Sequence, residues 1–267
     1  AQRAVRKGTV TEVSFDDTVL LLNFDGSNGD TSTTDASAFT SNQVITFNDT
    51  ADISTDQNKF GGSSLHLTTD GYLLIADRPE LDLTYHDFTI EWWEYRTSTS
   101  GNPTLLARNN DTFSPFIVGK AVSGKNRAYI THDGTSFSAT DGLDIDMGTI
   151  DLNQWNHFAL VRKGNQFRAF KNGVIQNTDT KPDLYVRVSS DSMQIGKAQN
   201  GNFFEGYIDG LRIVRGTALY FDAFTPSTSA PTATTANRTY TGKHYMESAY
   251  KSLKTICTSV DAEFKMQ

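Results

Sequence analysis

The stretch Phe204-Glu-Gly-Tyr-Ile-Asp-Gly-Leu-Arg-Ile-Val-Arg-Gly-Thr-Ala-Leu-Tyr-Phe-Asp-Ala-Phe-Thr-Pro226 decides the fold of this chain. Its apolar side chains alternate imperfectly with polar ones, and glycines interrupt the pattern at Gly206, Gly210 and Gly216. This pattern predicts a half-buried strand with a bulge or a close backbone approach, followed by a turn into an aromatic closing segment. No nucleophile or metal-ligand spacing stands out, and Asp209 without a partner Glu is predicted to accept hydrogen bonds from turn amides.

The rest of the chain also has the composition of a β protein. Its 267 residues include 17 Phe, 10 Tyr and 20 Gly, and turn residues recur at intervals of roughly 8 to 12 residues between short apolar runs, which is typical of an all-β sandwich. We therefore predict a two-sheet antiparallel jelly roll. Asn172-Gly173 is a strong signal for a two-residue hairpin.

Residues 87–95 show the clearest alternation in the chain. The period of two predicts that Phe88, Ile90 and Trp92 face the core. Glu91 and Glu94 are three residues apart and so belong to opposite faces of the strand. We interpret both as surface residues.

The flanks differ from the central region. We predict an N-terminal arm at residues 1–17 that has a basic start, the jelly roll at residues 18–231, and a Thr- and Pro-containing linker followed by a tail at residues 232–267. Apolar residues recur in the tail at helical spacing, which predicts an amphipathic helix. They are Tyr245, Ala249, Leu253, Ile256 and Val260.

Charge and cysteine content argue against several classes of protein. The net charge of -7 opposes nonspecific binding to nucleic acid or to anionic lipid. No apolar run reaches the roughly 20 residues of a membrane span. Cys257 is the only cysteine, so no intrachain disulfide can form, and synthesis and assembly in a reducing cytosol are compatible with the sequence.

Five segments resemble the laminin-G-like, concanavalin-A-like jelly rolls, and within that family the versions carried by bacteriophage virion proteins. The fifth and most specific is residues 204–226. The other four are Val19-Leu-Leu-Leu-Asn-Phe-Asp-Gly-Ser-Asn-Gly-Asp30, Ser54-Thr-Asp-Gln-Asn-Lys-Phe-Gly-Gly-Ser-Ser-Leu65, Asp87-Phe-Thr-Ile-Glu-Trp-Trp93, and Trp155-Asn-His-Phe-Ala-Leu-Val-Arg162 with Asn172-Gly173. The resemblance covers about residues 18–231 and implies ligand binding by rim loops or a concave face, sometimes through calcium.

The resemblance implies a noncatalytic structural protein of a phage particle, as a surface-exposed decoration, fibre or tail-associated subunit. Its partners would be other virion proteins or copies of itself. As a secondary role, it would bind a host cell-surface polysaccharide. It would be assembled in the host cytoplasm and lie at the virion surface. The flanking residues expected to serve assembly are Arg3, Arg6, Lys7, Tyr245, Leu253 and Ile256.

Two alternatives place the chain in other functional classes. A secreted carbohydrate-binding or adhesion module would be extracellular and would bind a saccharide. A glycoside hydrolase would need an E-x-D-x-x-E strand. The nearest run offers Asp144 and Asp146 but has Gly142 and Met147 where the glutamates are needed, so we expect no catalysis.

Candidate ligand sites are few. Calcium is a possible cofactor, and it could take oxygen ligands from acidic and amide side chains in turns. The candidates are Asp25, Asn28 and Asp30, then Asn109, Asn110 and Asp111, and finally Asp133. Trp93 and Tyr95 would stack on sugar rings if they faced outward, although packing in the core is the preferred interpretation. His157 is interpreted as a hydrogen-bonded core residue.

Overall fold

The computed structural model describes residues 18–37, 44–108, 114–134, 142–198 and 201–233. All of them lie within one compact unit, Asp16–Thr234. The predicted arm, the tail helix and the six assembly residues Arg3, Arg6, Lys7, Tyr245, Leu253 and Ile256 lie outside the described residues, so they stay predictions, as do the domain boundaries.

Fifteen strands make up nearly all regular structure in the described part of the chain, where the one helical turn is a 3-10 turn at Pro79–Leu81. In chain order the strands are β1 (Thr18–Leu22), β2 (Ile45–Asn48), β3 (Asp52–Ser54), β4 (Ser64–Leu67), β5 (Tyr72–Ile75), β6 (Phe88–Arg96), β7 (Thr104–Arg108), β8 (Phe116–Val122), β9 (Lys125–Thr131), β10 (Gly142–Thr149), β11 (Trp155–Lys163), β12 (Gln166–Lys171), β13 (Val174–Thr180), β14 (Met193–Ile195) and β15 (Gly206–Arg215). Within these residues there is no helix long and apolar enough to cross a membrane.

The strands form two antiparallel sheets, which confirms the predicted jelly-roll sandwich. Sheet 1 has eight strands in the order β13-β12-β11-β6-β15-β4-β3, with β1 also paired to β15. Sheet 2 has seven strands in the order β10-β9-β8-β7-β14-β5-β2. The Asn172-Gly173 turn between β12 and β13 has positive φ at both residues, 48° and 77°, as the predicted two-residue hairpin requires.

The strand predicted from residues 204–226 is β15, near the middle of sheet 1. The predicted bulge is present, because Asp209 pairs with Trp93 while Arg212 pairs with Glu91, so two residues of β15 oppose a single residue of β6. Gly210 adopts φ of 55° there. A close backbone approach occurs at Gly206, where a Cβ atom would lie 2.1 Å from the carbonyl oxygen of Tyr95.

The core lies between the inner faces of the two sheets. Phe88, Ile90 and Trp92 are all fully buried there, as the alternation of β6 predicts. Trp92 stacks on Phe158 of β11 at a ring-centroid distance of 5.8 Å. Burial of apolar side chains on this scale is the main stabilising contribution to a fold of this kind.

A buried polar network crosses this core and contradicts the prediction that Glu94 is a surface residue. Glu94 and Arg96 are both fully buried, and Nε of Arg96 donates to Oε1 of Glu94 at 2.9 Å. Trp92 donates its indole N–H to Oε2 of Glu94 at 2.8 Å. Asn126 of β9 donates to Oε1 at 2.8 Å, so the network joins sheet 1 to sheet 2.

The remaining donors of Arg96 also find acceptors on sheet 2 and beside it. Its Nη2 donates to the carbonyl oxygen of Gly119 at 2.5 Å and to Oδ1 of Asn126 at 3.1 Å. Its Nη1 donates to the carbonyl oxygen of Pro103 at 3.3 Å, and the guanidinium lies 4.4 Å from the ring centroid of Phe204. Charges in a core are tolerated when they are paired and hydrogen-bonded in this way.

Replacing Glu94 by Gln should destabilise the protein strongly, because the Arg96 guanidinium would stay buried without a counter-charge. We expect the free energy of unfolding to fall by about 3–5 kcal/mol, measured by urea denaturation of the full chain. The matched control is Asp222→Asn, whose side chain is 92% exposed and whose effect should stay within about 0.5 kcal/mol. Equal urea midpoints for Glu94→Gln and the wild type would show that the network does not stabilise the fold.

Candidate functional site

Four aromatic side chains form a row directly across the outer face of sheet 1, and we name them the aromatic row. They are His66 of β4, Tyr207 of β15, Tyr95 of β6 and Trp155 of β11. The strand register pairs His66 with Tyr207, Tyr207 with Tyr95, and Tyr95 with Trp155. Each side chain is only half-buried. The row therefore spans four adjacent strands and faces away from the core.

The rings of the aromatic row contact one another in sequence. His66 stacks on Tyr207 at 4.7 Å between ring centroids, with an interplanar angle of 22°. Tyr207 and Tyr95 are 5.9 Å apart and inclined at 79°, and Tyr95 and Trp155 are 5.9 Å apart at 63°. These are favourable geometries for aromatic pairs. The cross-strand contacts hold the rings in place and leave part of each one open to a ligand.

Trp93 also lies on the outer face, two residues before Tyr95 on β6. Its ring is half-buried and packs against His157 at 5.1 Å and against Phe60 at 6.0 Å. The ammonium of Lys59 lies 3.9 Å from its ring centroid. The preference for Trp93 and Tyr95 as core residues was therefore wrong, because β6 directs its odd-numbered side chains away from sheet 2.

The other half of this face is covered by residues 216–231, which we name the strap. Ala218, Tyr220 and Phe224 of the strap pack on an apolar patch of β11 and β12. Tyr220 and Phe224 stack on each other at 3.7 Å between ring centroids. The amide of Phe224 donates to the carbonyl oxygen of Gly173 at 2.9 Å, which fixes the strap at the β12–β13 turn. The predicted closing segment thus closes the domain over sheet 1.

A polar cluster lies beneath the strap and centres on Glu91, which is buried rather than at the surface as predicted. Arg212 donates to Oε1 through Nε at 2.6 Å and through Nη2. Tyr220 donates its hydroxyl to Oε2 at 2.9 Å, and Nε2 of His157 lies 3.1 Å from the same oxygen. His157 is therefore buried and hydrogen-bonded, as predicted.

The protonation of this cluster follows from its contacts. Burial alone would raise the pKa of Glu91, but the hydrogen bond from His157 and the positive charge of Arg212 hold it below its ordinary value. Burial raises the pKa of Tyr220, and the neighbouring Glu91 carboxylate raises it further. Glu91 is thus a fully engaged anion and Tyr220 a neutral donor.

The two aspartates of the hydrolase-like run project from β10 of sheet 2 and are paired with cations. Nη2 of Arg127 lies 2.6 Å from Oδ1 of Asp144, and Nζ of Lys125 lies 2.7 Å from Oδ2 of Asp146. Burial favours a raised pKa for Asp146, yet the hydrogen bonds from Lys125 and from the Gly148 amide lower it. Asp146 therefore holds no proton ready for donation to a leaving group.

Comparison with known proteins agrees with this architecture. The Concanavalin A-like lectin/glucanases superfamily matches residues 67–219, which include both central strands β6 and β15. The match covers more than half of the chain. The chain belongs to this superfamily. No curated protein sequence matches the chain significantly.

Several solved structures share the fold of this chain at low sequence identity. The binding domain of Paraclostridial Mosquitocidal Protein 1 is 15% identical with a TM-score of 0.57, over 77% of this chain and 50% of that one. The receptor binding domain of botulinum neurotoxin D is 13% identical with a TM-score of 0.56, over 77% and 50%. The chain thus spans about half the length of these two structures.

A third similar structure is almost fully covered. It is Domain 4 of AbnA, an extracellular arabinanase of family GH43 from Geobacillus stearothermophilus, in complex with arabinotriose. This domain is 17% identical with a TM-score of 0.50, over 75% of this chain and 93% of that one. At such identities the likeness concerns the fold alone.

The structure brings the predicted calcium ligands together only in part. Asp25 and Asp30 line one open cleft of about 380 Å³, whereas Oδ1 of Asn28 accepts a hydrogen bond from the Thr55 amide at 3.1 Å. Asp133 accepts one from Thr131 at 3.0 Å. The third cluster, Asn109, Asn110 and Asp111, lies outside the described residues.

No three His, Cys, Asp or Glu side chains in the described ranges form a metal-ion cluster. A calcium ion at Asp25 and Asp30 would therefore need amide, backbone or water oxygens in addition. Calcium binding stays a prediction.

Asp209 makes contacts across the sheet that the sequence pattern indicated only in part. Its Oδ2 accepts hydrogen bonds from the amides of Lys59 and Phe60, both at 2.9 Å, which confirms its role as an acceptor for loop amides. Its Oδ1 is buried without a hydrogen-bond partner. Burial raises the pKa of Asp209 to about 7, the loop amides oppose this, and the charge of Asp25 adds to it.

The raised pKa of Asp209 makes stability depend on pH. The folded state holds this proton more tightly than the unfolded chain, in which the pKa is near 3.8. The contribution of this proton to the free energy of unfolding is therefore fully present below pH 3.8 and is lost as the pH rises to about 7. The free energy of unfolding falls over this range by at most about 1.4 kcal/mol per pH unit. We expect the Asp209→Asn variant to lose less stability over this pH range, as measured by urea denaturation in the presence of a chelator.

Asp222→Asn is the matched control and should keep the wild-type slope. Parallel pH profiles for Asp209→Asn and the wild type would contradict the prediction. Urea denaturation at pH 8 with added calcium tests the predicted ligand Asp25. A cation beside Asp25 and Asp30 would raise the stability of the wild type but not that of Asp25→Asn.

Proposed function

We propose that this domain is a noncatalytic glycan-binding module and that the aromatic row is its binding surface. The observation that carries the proposal is the register of His66, Tyr207, Tyr95 and Trp155, which places four half-buried rings side by side on one outer face. Tyrosine and tryptophan combine an apolar ring with a polar tip, so they bind ligands that have both apolar C–H faces and hydroxyl groups. Sugars have this combination.

The aromatic row is rigid before any ligand binds. Its members lie on four hydrogen-bonded strands, and each ring contacts the next. A ligand therefore does not have to order loops or long side chains, which lowers the entropy cost of binding. One further aromatic ring extends the surface, because Trp93, with the ammonium of Lys59 over its ring, lies next to the row on the same face.

Several contacts support a noncatalytic role. Both carboxylate oxygens of Glu91 are engaged by Arg212, His157 and Tyr220 beneath the strap. Asp144 and Asp146 are paired with Arg127 and Lys125. Glycoside hydrolysis requires one protonated and one free carboxyl group facing the same bond. Glu91, Asp144 and Asp146 instead take part in contacts within the domain.

The similar structures support binding as the function. One of them is a domain seen with arabinotriose, and others are binding domains of a mosquitocidal protein and of a botulinum neurotoxin. For this chain we propose a cell-surface polysaccharide as the ligand. A secreted adhesion module with the same surface is the alternative setting.

We place the module on a bacteriophage particle, where it would be a surface-exposed subunit held by its flanks to other virion proteins or to copies of itself. This part of the proposal is supported by the sequence resemblance to virion proteins. It is also supported by the arm with its basic start and by the apolar-patterned tail that flank the jelly roll in sequence. The assembled subunit would display the aromatic row toward the host surface.

Removing two rings of the row should weaken glycan binding without unfolding the domain. We expect Tyr95→Ala with Trp155→Ala to lose at least about tenfold in affinity for any saccharide that the full chain binds on a glycan array, because each ring contributes apolar contact. The matched control is Tyr85→Ala, since Tyr85 is 53% exposed and lies outside the row. Unchanged binding by the double variant would exclude the row as the site.

Removal of either flank should prevent incorporation into the particle but leave a folded domain. We expect chains lacking residues 1–17 or residues 232–267 to keep a β-rich circular dichroism spectrum. Mass spectrometry of purified particles should find them absent, whereas Asp222→Asn should be incorporated normally. Normal incorporation of both truncated chains would contradict the proposed assembly role of the flanks.

A further inference from the structure

Carboxylates mark one end of the aromatic row, and they indicate which sugars it can accept. Asp52 of β3 pairs with His66 in the strand register, and its Oδ1 lies 2.9 Å from Nδ1 of His66. The side chains of His66 and Asp52 are 28% and 34% exposed. Part of this carboxylate is therefore free to face a ligand at the β4 end of the row.

A second carboxylate, that of Asp56, acts on the same end. Asp56 is exposed in the loop that follows β3. Burial raises the pKa of Tyr207, and the negative charges of Asp56 and Asp52 raise it further. The loop that carries Asp56 crosses this face, because the amides of its Lys59 and Phe60 donate to Asp209, two residues after Tyr207 on β15. Tyr207 stays a neutral hydrogen-bond donor.

Two cations close to the row in sequence or on the same face are directed at other groups. Lys59 is held over the ring of Trp93, with its ammonium 3.9 Å from the centroid. Arg96, the next residue after Tyr95, points into the core and is paired with Glu94. Within the row itself, the ring of His66 faces Asp52 through Nδ1.

We infer that the aromatic row selects neutral or amine-bearing sugar chains and rejects acidic polysaccharides, with Asp52 and Asp56 as the residues that determine this selectivity. The inference rests on the proposed glycan-binding function. A carboxylate or sulfate group placed on the row would meet like charges, whereas a protonated amine would be attracted and a hydroxyl could donate to either carboxylate.

The geometry of the row also limits the shape of the ligand. Three strand spacings separate His66 from Trp155, which gives a row roughly 14 Å long, enough for about three sugar rings in a chain that crosses the strands. Successive rings are inclined at 79° and 63°, so they form no single flat platform. This surface suits a separate, twisted polysaccharide chain better than the plane of a crystalline polymer.

The test measures the binding of three kinds of sugar chain to the full-length protein at low salt. The probes are N-acetylglucosamine hexamer as neutral chain, glucosamine hexamer as amine-bearing chain, and oligogalacturonate as acidic chain, next to a broad array of neutral, amine-bearing and acidic glycans. We expect neutral or amine-bearing chains to bind and acidic chains to bind at least about tenfold more weakly. Added salt should reduce this difference.

In the double variant Asp52→Asn with Asp56→Asn, the affinity for acidic chains should come to within about threefold of the affinity for neutral or amine-bearing chains. Asp222→Asn, which removes an exposed carboxylate from the strap, should leave the difference unchanged, and circular dichroism confirms that each variant is folded. If the double variant does not fold, the salt dependence of the wild type decides, because a charge-based preference must weaken as salt is added.

The two proposals fail in different ways. Stronger binding of acidic chains, or a preference that neither salt nor the double variant changes, would overturn the selectivity while glycan binding stands. Binding to no saccharide in the array would overturn the proposed function and this inference with it.

Discussion

The buried ion pair between Glu94 and Arg96 is the constraint on which the rest of the structure depends. Two charges in the core are stable only if every donor and acceptor is satisfied, and here the partners are Asn126 and the Gly119 carbonyl of sheet 2. A shift of one sheet against the other would break several of these hydrogen bonds together. The network therefore fixes the position of β6 relative to sheet 2, beyond what non-directional apolar packing could do.

Once β6 is fixed with its even-numbered side chains inward, its odd-numbered side chains must form the outer face. Tyr95, Trp93 and Glu91 follow one another there. The bulge in β15 completes the arrangement, since Tyr207 and Asp209 before it and Arg212 after it all contact groups on this outer face. If the strand alternated strictly from Asp209 onward, with no bulge, Arg212 would fall on the inner face. The bulge thus lets one strand contribute both to the aromatic row and to the cluster around Glu91.

Local pattern was sufficient to predict the elements of this fold but not their partners. The strand and bulge of β15, the core face of β6 and the Asn172-Gly173 turn each depend on a few neighbouring residues, and all were confirmed. The burial of Glu94 depends on Asn126, 32 residues away, and that of Glu91 on Tyr220, 129 residues away. Packing of Tyr95 in the core was preferred because aromatic side chains that face a second sheet are ordinary core residues. Only the pairing with Trp155 and Tyr207 shows that Tyr95 belongs to an outer row.

The strap explains why only part of this outer face is left open. Ala159, Val161 and Phe170 are apolar throughout, so leaving them in water would be unfavourable, and Ala218, Tyr220 and Phe224 cover them. The rings of Tyr95, Tyr207 and Trp155 carry polar groups at their tips and can remain half-buried at smaller cost. The chain therefore covers the part of the face that requires apolar contact. The part that remains accessible is the one whose side chains are suited to a ligand that is itself half polar and half apolar.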